Sequence, residues 1–135
     1  MKSRQSLGTV LAFMAMMLPA TGWAQKSENL SASENERYQL WTNCAGHMLF
    51  VQMNGKTYGA GEAAGATIMR PKIEAYIRRT WPQKDADISG DIDSGFRAAK
   101  ERAQILDEPS NSNHAGALKF VETCNKIGGF VSLDN

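Results

Sequence analysis

Two cysteines and two histidines are the soft donors of this 135-residue chain: Cys44, Cys124, His47 and His114. Cys44 and His47 stand three residues apart, which puts them on one face of a helix. A set of two thiolates and two imidazoles is a zinc ligand set by type. The spacing opposes it. His114 and Cys124 are ten residues apart, a separation of about 15 Å along one helix. A zinc ion with bonds of about 2.0–2.3 Å cannot touch both. A Cys–His nucleophile needs a free thiol, and the two cysteines are expected to consume one another. In an exported chain an even cysteine count favours a disulfide, and the first 24 residues mark this chain as exported. A bond between Cys44 and Cys124 closes a loop of 80 residues. The chain-entropy model then gives up to about 4.5 kcal/mol of stabilisation. Catalytic dithiols usually come as Cys-x-x-Cys, a spacing this pair does not have.

The second chemical feature is the acidic run Asp85-Ala-Asp87-Ile-Ser89-Gly90-Asp91-Ile92-Asp93. It resembles an EF-hand calcium loop. Asp85, Asp87 and Ser89 fit loop positions one, three and five, Gly90 fits the sharp turn, Ile92 the apolar eighth position and Asp93 the ninth. The resemblance implies a cation held by alternate side chains, because calcium takes six to eight oxygens. The run departs from the pattern at position twelve, where Phe96 replaces the bidentate Glu, and Pro82 interrupts the helix that leads into such a loop. The same residues also read as a helix start. Ser89 or Asp87 would cap it, and Asp91 and Asp93 would sit in the first turn, where negative charge meets the positive end of the dipole. Capping is the reading the pattern favours. A weak calcium site at Asp85, Asp87, Ser89, Asp91 and Asp93 is the alternative.

The elements that carry these residues are helical. Ser33-x-x-Glu36 matches a capping box. Tyr38, Trp41, Ala45, Met48 and Gln52 follow at steps of three and four, and Asn54-Gly55 supplies an end signal. Gly55 to Gly61 reads as a turn. From Glu62 to Trp81, Ala63, Ala66, Met69, Ile73, Tyr76, Ile77 and Thr80 form a second stripe. Pro71 interrupts that stripe, so it predicts one kinked helix or two short ones. Ile92, Phe96, Ala99, Ala103 and Leu106 make the cleanest stripe in the chain. Pro109 to Asn113 has loop composition. His114 to Ile127 predicts a last helix, with Gly128-Gly129 as its cap and Phe130 to Leu133 as a short apolar tail that folds back or pairs as a strand. His47 is expected on a partly exposed helix face. Tyr38, Trp41 and Met48 are expected in the core. The pattern is an all-α fold, a small antiparallel bundle of about four helices with the first and last joined by the disulfide.

Residues 1–24 carry the three parts of a secretory signal peptide: Lys2 and Arg4, the apolar run Leu7 to Leu18, and the small residues Gly22 and Ala24 around a cleavage site. The run is shorter than the roughly 20 residues that span a bilayer. Residues 25–135 are then a single helical domain, periplasmic or secreted, with no stable membrane span after cleavage. The precursor has 15 basic and 14 acidic residues. Losing Lys2 and Arg4 turns a net +1 into about −1, which excludes an electrostatic case for nucleic-acid binding. The basic residues Arg70, Lys72, Arg78 and Arg79 read as a solvated helix face. No nucleotide loop, haem-attachment motif or nucleophile elbow is present, so no cofactor is expected. The expected function is non-enzymatic binding of another envelope macromolecule, as an inhibitor, accessory subunit or immunity-type factor. The alternative is a small-ligand or weak calcium-binding carrier that uses the acidic loop 85–93 or a pocket between the first two long helices.

Overall fold

A computed structural model describes residues 29–133 of the chain. The expected signal peptide, residues 1–24, lies outside the described residues. The chain divides at Ala32, and the second unit begins at Ser33. The described residues form five α-helices, one 3-10 turn and no strand. The helices are α1 (Ala32–Met53), α2 (Gly55–Tyr58), α3 (Ala60–Thr80), α4 (Ile88–Leu106) and α5 (His114–Leu133), and the 3-10 turn is Pro82–Lys84. The four long helices make the bundle expected from the periodicity.

Helix α1 is the central element. Between Trp41 and Met48, every residue except Asn43 is buried, so neighbours cover it on all sides. Each long neighbour meets it differently. Against α3, Trp41 stacks on Tyr76 with centroids 4.0 Å apart. Against α4, the backbones themselves touch. A Cβ on Gly46 would lie 2.3 Å from the Phe96 nitrogen and 2.6 Å from the Ile92 carbonyl oxygen, and a Cβ on Gly95 would lie 2.8 Å from the Asn43 Cα. Only glycine admits that approach. Against α5, Cys44 is bonded to Cys124, with Cα atoms 5.1 Å apart across 80 residues of sequence.

The rest of the core is aliphatic and aromatic: Ile73, Ile77, Ile88, Ile92, Ala66, Ala99, Val131 and Trp81. Trp81 ends α3 and is almost fully enclosed. Its indole N–H donates to Glu34 Oε2 at 3.2 Å, so the buried polar atom is satisfied. The Arg37 guanidinium lies over the ring at 5.5 Å, and Tyr38 meets the ring edge-on at 5.5 Å.

The helix boundaries differ from the sequence reading in four places. Helix α1 starts at Ala32, which puts Ser33 and Glu36 inside it rather than at a cap and an N3 position. The glycine-rich turn contains the single helical turn α2, and the break falls at Gly59, the one described residue with a left-handed φ, +100°. Pro71 neither splits nor ends α3, which is continuous from Ala60 to Thr80. Helix α5 runs through Gly128-Gly129 to Leu133, so the glycines are not a cap and the apolar tail is neither a strand nor a fold-back. Gly128 is buried because the Met69 thioether occupies the space a side chain would take, 2.2 Å from an added Cβ.

Candidate functional site

The acidic run is spread along and ahead of a helix, not wrapped around a point. Helix α4 begins at Ile88, so Ser89, Asp91 and Asp93 lie within its first turns. Asp85 is bound to Arg78 Nη1 at 3.0 Å. Asp87 occupies the N-cap position but makes no side-chain capping hydrogen bond, and it lies 3.5 Å from Lys84 Nζ. Asp91 Oδ2 accepts a hydrogen bond from the Tyr38 hydroxyl at 2.6 Å. Asp93 pairs with Arg97 one turn along. Among the described residues no group of three or more His, Cys, Asp or Glu is placed to hold a metal ion. The helical stripe that includes Ile92 overrides the calcium-loop pattern. Of these carboxylates, Asp91 ties the start of α4 to α1 through Tyr38, and Asp85 ties the segment before α4 to α3 through Arg78. The Tyr38 phenol is pushed well above its usual range by burial, then by its hydrogen bond to Asp91 and the negative charges of Asp91 and Asp87. It therefore stays a donor.

The structure forms a pocket that the sequence pointed to only in outline. It lies between α1, α3 and α5, encloses about 300 Å³, and is walled by Met48, Val51, Met69 and Val121, with Tyr58 and Glu62 also in its lining. Its origin is local. The first turns of α3 carry Gly61 and Gly65, whose missing side chains leave space beside α1. His47 lines the pocket and is 3 % exposed, which corrects its expected place on a partly exposed face. It sits one turn from Cys44, on the face the disulfide draws into the core, so the signal was present in the sequence. Burial, and next the positive charge of Arg102, lower its pKa to about 4. The imidazole is therefore neutral at physiological pH and carries one donor and one acceptor. No described residue hydrogen-bonds to either ring nitrogen, and neither is cut off from open space: Nη1 of Arg102 is the one buried side-chain polar atom without a partner among the described residues. Phe120 approaches the imidazole edge-on, with centroids 6.5 Å apart.

Arg102 stacks on the other side of this region. Its guanidinium lies 3.9 Å from the Phe120 ring centroid and faces an open cleft of about 480 Å³ between α4 and α5. Arg102 lies off the apolar stripe of Ile92, Phe96, Ala99, Ala103 and Leu106, and periodicity alone gives no sign that Phe120 draws it inward.

A third feature lies at the end of α5. Phe130 is 56 % exposed and Leu133 86 % exposed. They stand one helical turn apart. Phe130 meets Trp41 and Tyr76 edge-on at 6.3 and 6.1 Å, and the Arg79 guanidinium lies 5.7 Å from the Tyr76 ring centroid. The result is an aromatic cluster with an open apolar edge and a cation beside it.

Comparison with known protein families, with curated proteins and with solved structures found no match. Among the described residues no helix is long and apolar enough to cross a membrane.

Proposed function

We propose that this is an exported protein of the bacterial envelope, periplasmic or secreted, that works by binding another macromolecule as an inhibitor, accessory subunit or immunity-type factor. The observation that carries the reading is the exposed Phe130–Leu133 edge over the Trp41–Tyr76 stack. Water-exposed aromatic and aliphatic side chains that adjoin one another mark contact surfaces, and interfaces are enriched in aromatics and Arg. Export is supported by the leader pattern and by a disulfide that an oxidising compartment would maintain. The test is retention of envelope proteins on the immobilised, oxidised residues 25–135, compared with Phe130→Asp and Leu133→Ser variants of equal circular dichroism. Specific retention that both variants lose is the expected result. Retention that neither variant changes, or a turnover activity abolished by one point substitution elsewhere, would overturn the reading.

The pocket at His47 favours a second reading, a small-ligand carrier. Its volume stands at the lower end of the roughly 300–1,000 Å³ range of ligand sites, and apolar walls with a few polar groups are the usual lining.

A further inference from the structure

If the small-ligand reading holds, the chemistry of the pocket narrows the ligand, and the inference that follows rests on that reading. Size comes first. A pocket of about 300 Å³ is about twice the ~150 Å³ of an apolar cavity that admits benzene, which suits a molecule of one ring with a small substituent. The walls come next. Met48 and Met69 line the pocket, and thioether sulfur makes favourable contacts with aromatic rings. Of the polar side chains in the lining, which include Tyr58, Glu62 and Asn125, His47 is the one that is buried, and its imidazole, to which no described residue hydrogen-bonds, needs a hydrogen-bonding group opposite it when water is displaced. Charge decides the remainder. The carboxylate of Glu62 shares the lining and opposes an anion. The guanidinium of Arg102, outside the lining but stacked on the Phe120 ring that meets His47 edge-on, opposes a cation.

We propose that this pocket binds a small uncharged hydroxylated aromatic molecule of the phenol class, its ring against Met48 and Met69 and its hydroxyl hydrogen-bonded to the imidazole of His47. A phenolic hydroxyl suits either tautomer, because it both donates and accepts. Its ring replaces the water of the apolar walls, and its one polar group meets the buried imidazole.

The test is calorimetric titration of the oxidised protein with p-cresol, with its near-isostere p-xylene, which lacks the hydroxyl, and with p-toluate, which carries a charge. The expected order is p-cresol tighter than p-xylene by about tenfold, the factor one net hydrogen bond supplies, with p-toluate weakest. His47→Phe should erase the preference for p-cresol over p-xylene. Gly65→Leu should abolish binding of both by filling the pocket; an added Cβ there meets only the Met69 methyl at 3.6 Å, an ordinary contact. Should His47→Phe not fold, a shift of the His47 ring ¹⁵N resonances in the natural protein on adding p-cresol, and none on adding p-xylene, reads the same contact. A preference that survives His47→Phe, or unshifted His47 resonances at saturating p-cresol, would refute the proposal. If p-toluate or p-xylene binds best and Gly65→Leu abolishes that binding, the phenol inference fails and the carrier reading stands. If none of the three binds at millimolar concentration to folded protein, both fail.

Discussion

Acid should destabilise this protein through His47, and by an amount that can be isolated. In the unfolded chain the imidazole has its ordinary pKa of 6.5, and in the folded protein burial and the charge of Arg102 hold it at about 4. Between these values the unfolded chain binds a proton that the folded protein does not. Stability therefore falls as the pH drops from 6.5 towards 4, and His47 contributes no slope above or below that window. The gap of about 2.5 pH units, at 1.36 kcal/mol each, corresponds to about 3 kcal/mol. Carboxylates titrate in the same range, so the measurement must be a difference. Urea unfolding of the disulfide-intact protein at pH 7 and pH 4, for the natural chain and for His47→Gln, gives it. The natural protein should lose about 3 kcal/mol more than the variant, a relative shift of about 1–3 M in the urea midpoint. Parallel losses in the two proteins, or a His47 ring titration centred near pH 6.5 by NMR, would refute the argument from burial.

Three further outcomes are expected. Replacing Cys44 and Cys124 together by Ala should cost up to about 4.5 kcal/mol in chemical denaturation, and a double variant as stable as the oxidised protein would remove the staple from the account. Gly46→Ala should cost about 3 kcal/mol because its Cβ meets fixed backbone, whereas Gly129→Ala, with open space around the added atom, should stabilise α5 by up to about 1 kcal/mol; thermal melts of the pair check the contrast. Tyr38→Phe should lower stability by about 1–2 kcal/mol by leaving Asp91 without its donor, with the same far-UV circular dichroism.

The bundle and its disulfide were legible because they follow from local rules. Apolar residues at steps of three and four specify helices whatever surrounds them, and an even pair of cysteines on two apolar faces has one partner to find. The glycines were not legible, because a glycine reads alike whether it ends a helix or lets two helices touch. Gly128 reads as a cap in the sequence and instead admits Met69. Gly46 and Gly95 carry the α1–α4 crossing, a relation between distant segments that no spacing encodes. The acidic run matched a loop pattern at six positions, yet the stripe through Ile92 decided its form, since periodicity over nineteen residues of helix outweighs a local match. The pocket depends on what is missing from Gly61 and Gly65, and on the depth at which the disulfide sets His47. The second of these was within reach of the sequence, and the first needed the packing of three helices.

The position of the disulfide also bears on survival under proteolysis. Cys44 and Cys124 enclose α2, α3, α4 and the exposed stretch Glu108–Ser110 within one covalent ring. A protease that cuts the chain in that stretch opens the ring without releasing a fragment. The two pieces remain one molecule, each holding the other at high effective concentration, with the α1–α5 contact intact. Such a nicked form should comigrate with the uncut protein until a reductant is added. A single cleavage would then mark the molecule without disarming it.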